Sequence, residues 1–309
     1  MDTFTTRRIG DIEVSIAGLG CNNFGRRIDE ARTQEVVAAA LDAGVTVFDT
    51  ADLYGDGASE EFLGRALGAS RDRAVVVTKF GMRTPPNGLT GGDPRWVAQA
   101  CDQSLERLGT DRIDLYLLHQ PDPAVPMTET LDAMRLLVDK GKVREVGCSN
   151  VSAAQIAETH AAAMAEGWNG FATVQNELSL LEREAEGDVL PACERAGITF
   201  MPYFPLASGL LTGKYRRGES PPPGTRLSHA GEDVFTDQRF GLVERLEAYA
   251  NDHGHSLLEV ALSWLASHSA VATVIAGATD PDQVRANASA TTAWQLSEEE
   301  LREVAAVIG

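Results

Sequence analysis

Apolar positions along the chain fall into short clusters that alternate with longer stretches in which they recur every three or four residues. The clusters, rich in Val, Ile and Leu, predict strands at 17–20, 45–48, 74–79, 113–118, 143–147, 172–174, 198–201 and 272–275. Most are apolar at nearly every position, as expected of strands covered on both faces. The periodic stretches predict helices at 30–43, 59–67, 94–108, 128–140, 152–166, 188–196, 256–267 and 280–290. Gly44 and Gly109 stand just past two helix ends, and Ser152 and Asp280 stand at two helix starts.

Eight successive strand–helix units make a parallel sheet, either closed or open. No linker rich in Gly, Ser or Pro divides the chain near its middle, so the expectation is an α/β protein, a single (β/α)8 TIM barrel spanning residues 1–309. Three segments stand outside the repeat. Residues 7–15, with Gly10-Asp11 at their centre, predict a short N-terminal β-hairpin. Residues 214–235, containing Pro221-Pro222-Pro223-Gly224, predict a long loop after the seventh strand. Residues 297–308 open on Ser-x-x-Glu and predict an extra, capped C-terminal helix.

Composition narrows the function. A hydrophobic fraction of 43% is that of a globular protein with a sizeable core. The 45 acidic against 27 basic residues leave a net charge of -18, which repels nucleic acid and anionic membrane surfaces. With no long apolar run, the expected setting is cytoplasmic and the expected partner a small molecule. Cys21, Cys101, Cys148 and Cys193 form no C-x-x-C pair and read as reduced thiols, and no metal site is expected. His253 and His255 read as surface residues without a third ligand.

Active sites of such barrels lie where the strands end. The polar residues there are Asp49, Tyr54, Lys79, His119, Ser149, Asn150, Gln175, Asn176 and Tyr203. An Asp, a Tyr, a Lys and a His at one barrel mouth suggest proton transfer to a carbonyl oxygen with a phenol as acid. Tyrosine's ordinary pKa of about 10 makes it a reluctant acid, and a cationic Lys79 close by would lower it. Asp49 would hold Lys79, and His119 would hydrogen-bond the substrate carbonyl. Taken singly, each has a plainer reading: a loop cap, a half-buried aromatic, a strand terminus, a histidine satisfied before Pro121. Their convergence on three adjacent strand ends favours chemistry.

These residues sit in segments that resemble the aldo-keto reductase family. The segments are Val45-Thr-Val-Phe-Asp-Thr-Ala-Asp-Leu-Tyr-Gly55, Thr78-Lys-Phe-Gly81, Asp114-Leu-Tyr-Leu-Leu-His119, Gly147-Cys-Ser-Asn150, Val174-Gln-Asn-Glu177 and Pro205-Leu-Ala-Ser-Gly-Leu-Leu-Thr-Gly-Lys-Tyr215. The resemblance implies an NAD(P)H-dependent oxidoreductase that reversibly reduces an aldehyde or ketone, with Asp49, Tyr54, Lys79 and His119 catalytic and Tyr54 the acid. It implies a nicotinamide held by Ser149, Asn150 and Gln175 against Tyr203, and further cofactor contacts from Gly20, Cys21, Asn22 and Asp49. Phe204 and Pro205 would also touch the cofactor, Leu206, Ser208, Gly209, Leu210 and Lys214 would hold the pyrophosphate, and Gly277, Thr279, Gln283 and Asn287 the adenosine.

Phe204, Leu178, Gln283 and Ala286 depart from residues frequent in the family, which bears on cofactor preference and leaves the four catalytic positions intact. NADPH is the expected cofactor, because Lys214, Arg216, Arg217 and Arg226 cluster around the long loop of an acidic chain. Arg226 is the first choice for the 2′-phosphate and Arg285 the second. Asn23, Phe24, 83–90, Phe204 and 226–235 are candidate substrate contacts by position. Gly18-Leu-Gly20 lacks the third glycine of a dinucleotide fingerprint, and 209–214 is one residue short of a P-loop. Two rival readings are a dehydrogenase of aldoses or polyols working mainly in oxidation, and a cofactor-sensing barrel resembling potassium-channel β subunits.

Overall fold

The computed structural model describes residues 6–86, 88–228 and 234–309. The chain opens with an antiparallel hairpin, β1 (Thr6–Ile9) and β2 (Ile12–Ser15), turning at Gly10-Asp11. Eight parallel strands follow: β3 (Ala17–Gly20), β4 (Val47–Asp49), β5 (Val75–Phe80), β6 (Ile113–Leu118), β7 (Val143–Ser149), β8 (Thr173–Gln175), β9 (Thr199–Phe200) and β10 (Val274–Gly277). They pair in the order β10-β3-β4-β5-β6-β7-β8-β9. Phe200 N donates to Ala270 O (2.7 Å), Ala272 N to Phe200 O (2.9 Å) and Ile275 N to Pro202 O (3.1 Å), joining the two outer strands into a TIM barrel.

The strand sequences account for this arrangement. Every residue of β5 and β6 is buried, because alternate side chains enter the barrel and the others meet the helices. Val47, Val75, Val77, Leu115, Leu117, Met201, Ala272 and Ile275 pack together inside, where Ile9, Ile12 and Val14 of the hairpin join them. The hairpin therefore closes the N-terminal end of the barrel. Phe48, Val76, Phe80, Tyr116 and Leu118 face outward into the layer shared with the helices.

The helices are α1 (Glu30–Asp42), α2 (Ala58–Leu67), α3 (Pro94–Leu108), α4 (Met127–Asp139), α5 (Ala153–Ala165), α6 (Glu184–Gly187), α7 (Val189–Ala196), α8 (Asp237–Asp252), α9 (Leu257–Ser267), α10 (Pro281–Thr292) and α11 (Glu298–Ile308). Ser152, Ser256 and Ser297 each close a reciprocal capping box three residues in. Helix α8 is absent from the sequence reading. Its buried residues Phe240, Val243, Leu246 and Ala250 stand three, three and four apart, but Gly241 and many charges dilute that stripe. A tight helical turn at 207–212 stands just before the expected loop 214–235, of which 229–233 lies outside the described residues. All four cysteines are buried and unbridged. No described helix is long and apolar enough to cross a membrane.

Candidate active site

Inward alternation carries directly into the site. On β4 the inward positions are Val47 and then Asp49; on β5 they are Val75, Val77 and then Lys79; on β6 they are Leu115 and Leu117, with His119 next. Each series starts aliphatic and ends polar at the C-terminal mouth. Lys79 is fully buried, and its Nζ donates to Asp49 Oδ2 at 2.7 Å and to Thr50 O at 2.9 Å. Burial works against the Lys79 charge, but Asp49 and Tyr54 outweigh it and lift the ammonium above the ordinary lysine pKa. Asp49 Oδ1 in turn accepts from Gln175 Nε2 at 2.9 Å.

Tyr54 opens a tight turn, Tyr54–Gly57, in which Gly55 (φ 58°) and Asp56 (φ 57°) are left-handed. A Cβ on Gly55 would lie 2.9 Å from Phe24 O, so only glycine lets this turn rest on the loop after β3. The Tyr54 ring centre is 5.2 Å from Lys79 Nζ and meets the His119 ring edge-on, centroids 5.9 Å apart. The phenol does not sit below its ordinary pKa: burial pushes it up, and the pull of Lys79, although in the expected direction, is smaller. His119 is pushed down to about 3 by burial and then by the Lys79 charge, so its imidazole is neutral. Its Nδ1 is buried with no hydrogen-bond partner among the described residues.

The far side of the mouth is a hydrogen-bonded frame. Ser149 Oγ donates to Gln175 O (2.6 Å), Asn150 Nδ2 to His119 O (2.8 Å) and Tyr203 Oη to Asn150 Oδ1 (2.7 Å). Asn176, named at the strand ends but given no role, clamps Val151 through both its backbone groups (3.1 and 2.8 Å) and so fixes the left-handed Asn150. Beyond Tyr203, Phe204, Ala207, Ser208 and Gly209 all have positive φ, bending the chain around the mouth. The Arg226 guanidinium lies 4.7 Å from the Phe204 ring centre.

Residues 17–308 match the family model of the Aldo/keto reductase family. The chain belongs to the aldo-keto reductase family. Among curated relatives it is 34% identical to "Probable aldo-keto reductase 1" of Glycine max, over 94% of this chain and 85% of that one. It is also 34% identical to "Aldo-keto reductase YhdN" of Bacillus subtilis (strain 168), over 96% and 91%. Among solved structures it is similar to the glycerol dehydrogenase AKR11B4 from Gluconobacter oxydans (TM-score 0.83, 29% identity, 100% of this chain and 96% of that one). The holo form of aldo-keto reductase AKR11C1 from Bacillus halodurans is also close (TM-score 0.82, 30% identity, 99% and 96%). The chain is thus an oxidoreductase acting on carbonyl or alcohol groups, of a family that uses nicotinamide cofactors.

In this aldo-keto reductase one cavity of about 770 Å³ runs from Tyr54 and His119 past Tyr203 to Thr279 and Asn287. Gly20, Asn22, Asp49, Ser149, Asn150, Gln175, Phe204, Pro205, Leu206, Ser208, Gly209, Lys214, Arg226, Gly277 and Gln283 also line it. Cys21 and Leu210, expected beside the cofactor, do not: their side chains belong to the core. Lys79 lies behind the wall, reaching the site through Asp49 and beside Tyr54. Phe24 is likewise buried in the core rather than set toward a substrate, whereas Asn23 lines the cavity. Arg83 is held by Asp56 at 2.6 Å, and Asn87 and 229–233 lie outside the described residues. The sequence reading missed Arg27, whose guanidinium donates to Gly224 O at 2.7 Å across the cavity rim, and nothing in the local pattern signals that long-range contact. It also missed Gln120 and Thr212, although Gln120 follows His119 directly.

Proposed function

We propose that this protein reversibly reduces an aldehyde or ketone with NADPH, Tyr54 giving the proton to the carbonyl oxygen. The observation that carries the reading is the buried Lys79–Asp49 pair, with Lys79 just behind the cavity wall, set beside Tyr54 and a neutral His119 that both line the cavity. A reduced nicotinamide supplies hydride when bound. Neutral His119 can donate a hydrogen bond to the carbonyl oxygen without carrying charge into the site, which fixes the substrate's orientation. Tyr54 holds its proton at neutral pH and releases it as the oxygen becomes basic, and the Lys79 charge stabilises the phenolate left behind.

The cavity suits such a cofactor. Its volume falls within the range of about 300–1,000 Å³ usual for cofactor pockets. Gly20 and Gly277 leave its wall without side chains, and the bend at Phe204–Gly209 brings main chain to its surface. Ser149, Asn150, Gln175 and Tyr203 would hold the nicotinamide end. Phe204, Pro205, Leu206, Ser208, Gly209 and Lys214 would hold the pyrophosphate, and Gly277, Thr279, Gln283 and Asn287 the adenosine. Arg226 is the choice for the 2′-phosphate, because Arg285 is already held by Asp282 at 2.9 Å and Gln283 by Thr279. Residues 1–309 would then act as one barrel domain, and four unbridged thiols suit a cytoplasmic setting. Likeness to a glycerol dehydrogenase favours a second reading, oxidation of a polyol by the same residues run in reverse.

Tyr54→Phe tests the assignment. Reduction of 4-nitrobenzaldehyde should fall by at least about 10²- to 10⁴-fold, the usual worth of general acid catalysis. NADPH binding, followed by fluorescence, should persist. A variant that keeps full turnover removes Tyr54 from the role.

A further inference from the structure

Directly behind the Tyr54 turn lies a buried polar cluster that the reaction does not use. Asp52 is 1% exposed, and its carboxyl oxygens have no well-formed hydrogen bond among the described residues, the adjacent Leu53 backbone N–H giving only a weak pull toward the charged form. The groups facing it are Glu60 from α2, Arg107 from α3, Arg83 from the segment after β5, and Tyr116 from β6. Glu60 is itself fully buried, and it has already taken the best cation: its Oε2 accepts from Arg107 Nε at 2.6 Å while its Oε1 accepts from Thr78 Oγ1 at 2.5 Å. Arg83 is committed to Asp56 at 2.6 Å and touches Asp52 only through the backbone carbonyl, at 3.1 Å. The Tyr116 hydroxyl is buried and also lacks a partner.

An ionised carboxylate in that position would be a second buried negative charge beside Glu60 with no cation of its own. Burial of that kind is resolved by neutralisation. The backbone of Asp52 ties the site together, because its N–H donates to Lys79 O at 3.1 Å, and two residues on Tyr54 N donates to Ala51 O at 3.1 Å. Charging the side chain therefore loads the very turn that aims the phenol.

We propose that Asp52 is a positioning residue, and that its buried carboxyl keeps the Tyr54 turn in its working geometry only while it carries a proton, so that activity is lost when that proton leaves. Burial first, then Glu60, raises the Asp52 carboxyl to about 7. His119, near 3, and Tyr54, above its ordinary value, titrate far from there. The catalytic part of the proposal rests on Tyr54 being the proton donor; the protonation of Asp52 does not.

Asp52→Asn, a permanently uncharged isostere, is the test. Wild-type kcat/KM for reduction should fall about tenfold per pH unit above neutrality, as for one essential proton, and the variant should lose that limb. Folding supplies an independent readout. The Asp52 carboxyl has a folded pKa above its unfolded value of 3.8, so wild-type stability falls as pH rises from 3.8 to about 7 and then stays level with respect to this group. Tm of Asp52→Asn should exceed wild type by roughly 2–4 °C or more at pH 8, and the gap should close toward pH 4. If the variant does not fold, infrared spectra of the wild type should show a protonated-carboxyl band at pH 6 that disappears by pH 9, and in Glu60→Gln the band should be lost at a lower pH than in the wild type. A Tm gap independent of pH, or no such band, overturns the protonation of Asp52. A pH-dependent Tm gap with an unchanged kinetic limb overturns its positioning role, while full activity of Tyr54→Phe would instead overturn the assignment of the acid.

Discussion

Replacing Lys79 by Met deletes a buried charge that faces Tyr54. With Nζ 5.2 Å from the ring centre, and an effective dielectric of about 20, the attraction between ammonium and phenolate is about 3 kcal/mol, or roughly two pKa units. Asp49 stands on the other side of Lys79, and its charge disfavours phenolate, so removing the lysine exposes Tyr54 to that opposing charge as well. The phenol should therefore titrate at least about two units higher in the variant. Oxidation of an alcohol by NADP+ reports this directly, since phenolate is then the base: the acid limb of kcat/KM, along which activity rises with pH, should move upward by that amount and turnover at fixed pH should drop. Lys79→Met also leaves the buried Asp49 with Gln175 as its remaining side-chain donor, a loss on the order of 3–5 kcal/mol. Profiles must accordingly be taken where circular dichroism shows the variant folded. An acid limb that stays in place, in a folded variant that still turns over, refutes the electrostatic role of Lys79 and makes it structural.

Arg226→Ala should lower kcat/KM for NADPH by at least about tenfold while changing that for NADH little, as expected when a charge-assisted partner of a phosphate is lost; equal use of both cofactors by the wild type would refute the preference. Asp114 is 1% exposed at the opposite end of the barrel, where Arg71 and Arg144 reach it at 2.7 and 3.0 Å and Val76 N donates to it at 2.9 Å. Asp114→Asn should destabilise by about 3 kcal/mol or more without altering the pH profile of a folded enzyme, and an unchanged urea midpoint would show that this ion cluster contributes nothing net.

Much of the fold was legible because a parallel barrel writes the same unit repeatedly. Strand 113–118 and helix 94–108 coincide with β6 and α3 to the residue, since Pro94 and Gly109 bracket that helix and apolar residues fill that strand. Helix α8 was not legible, because its apolar stripe is sparse and its cap, Thr236, follows the irregular loop. The resemblance implies cofactor contacts at Cys21 and Leu210, yet only their neighbours Asn22 and Gly209 line the cavity, because a shift of one residue turns a side chain from a wall into the core.

The sequence by itself determined where the chemistry would gather. Alternation along a strand is a property of the backbone, so aliphatic positions 47, 75, 77, 115 and 117 already direct Asp49, Lys79 and His119 inward at one end. Only the tertiary structure decided the state of those groups. Lys79 meets Asp49 across 30 residues and Gln175 meets it across 126, and both contacts depend on the closed sheet. Protonation follows from the same source: His119 is neutral, Tyr54 is raised rather than lowered, and Asp52 lacks a cation because Glu60 holds Arg107. Periodicity is local and can be read along the chain, whereas desolvation and the sharing of a few buried cations are set by the whole folded surroundings.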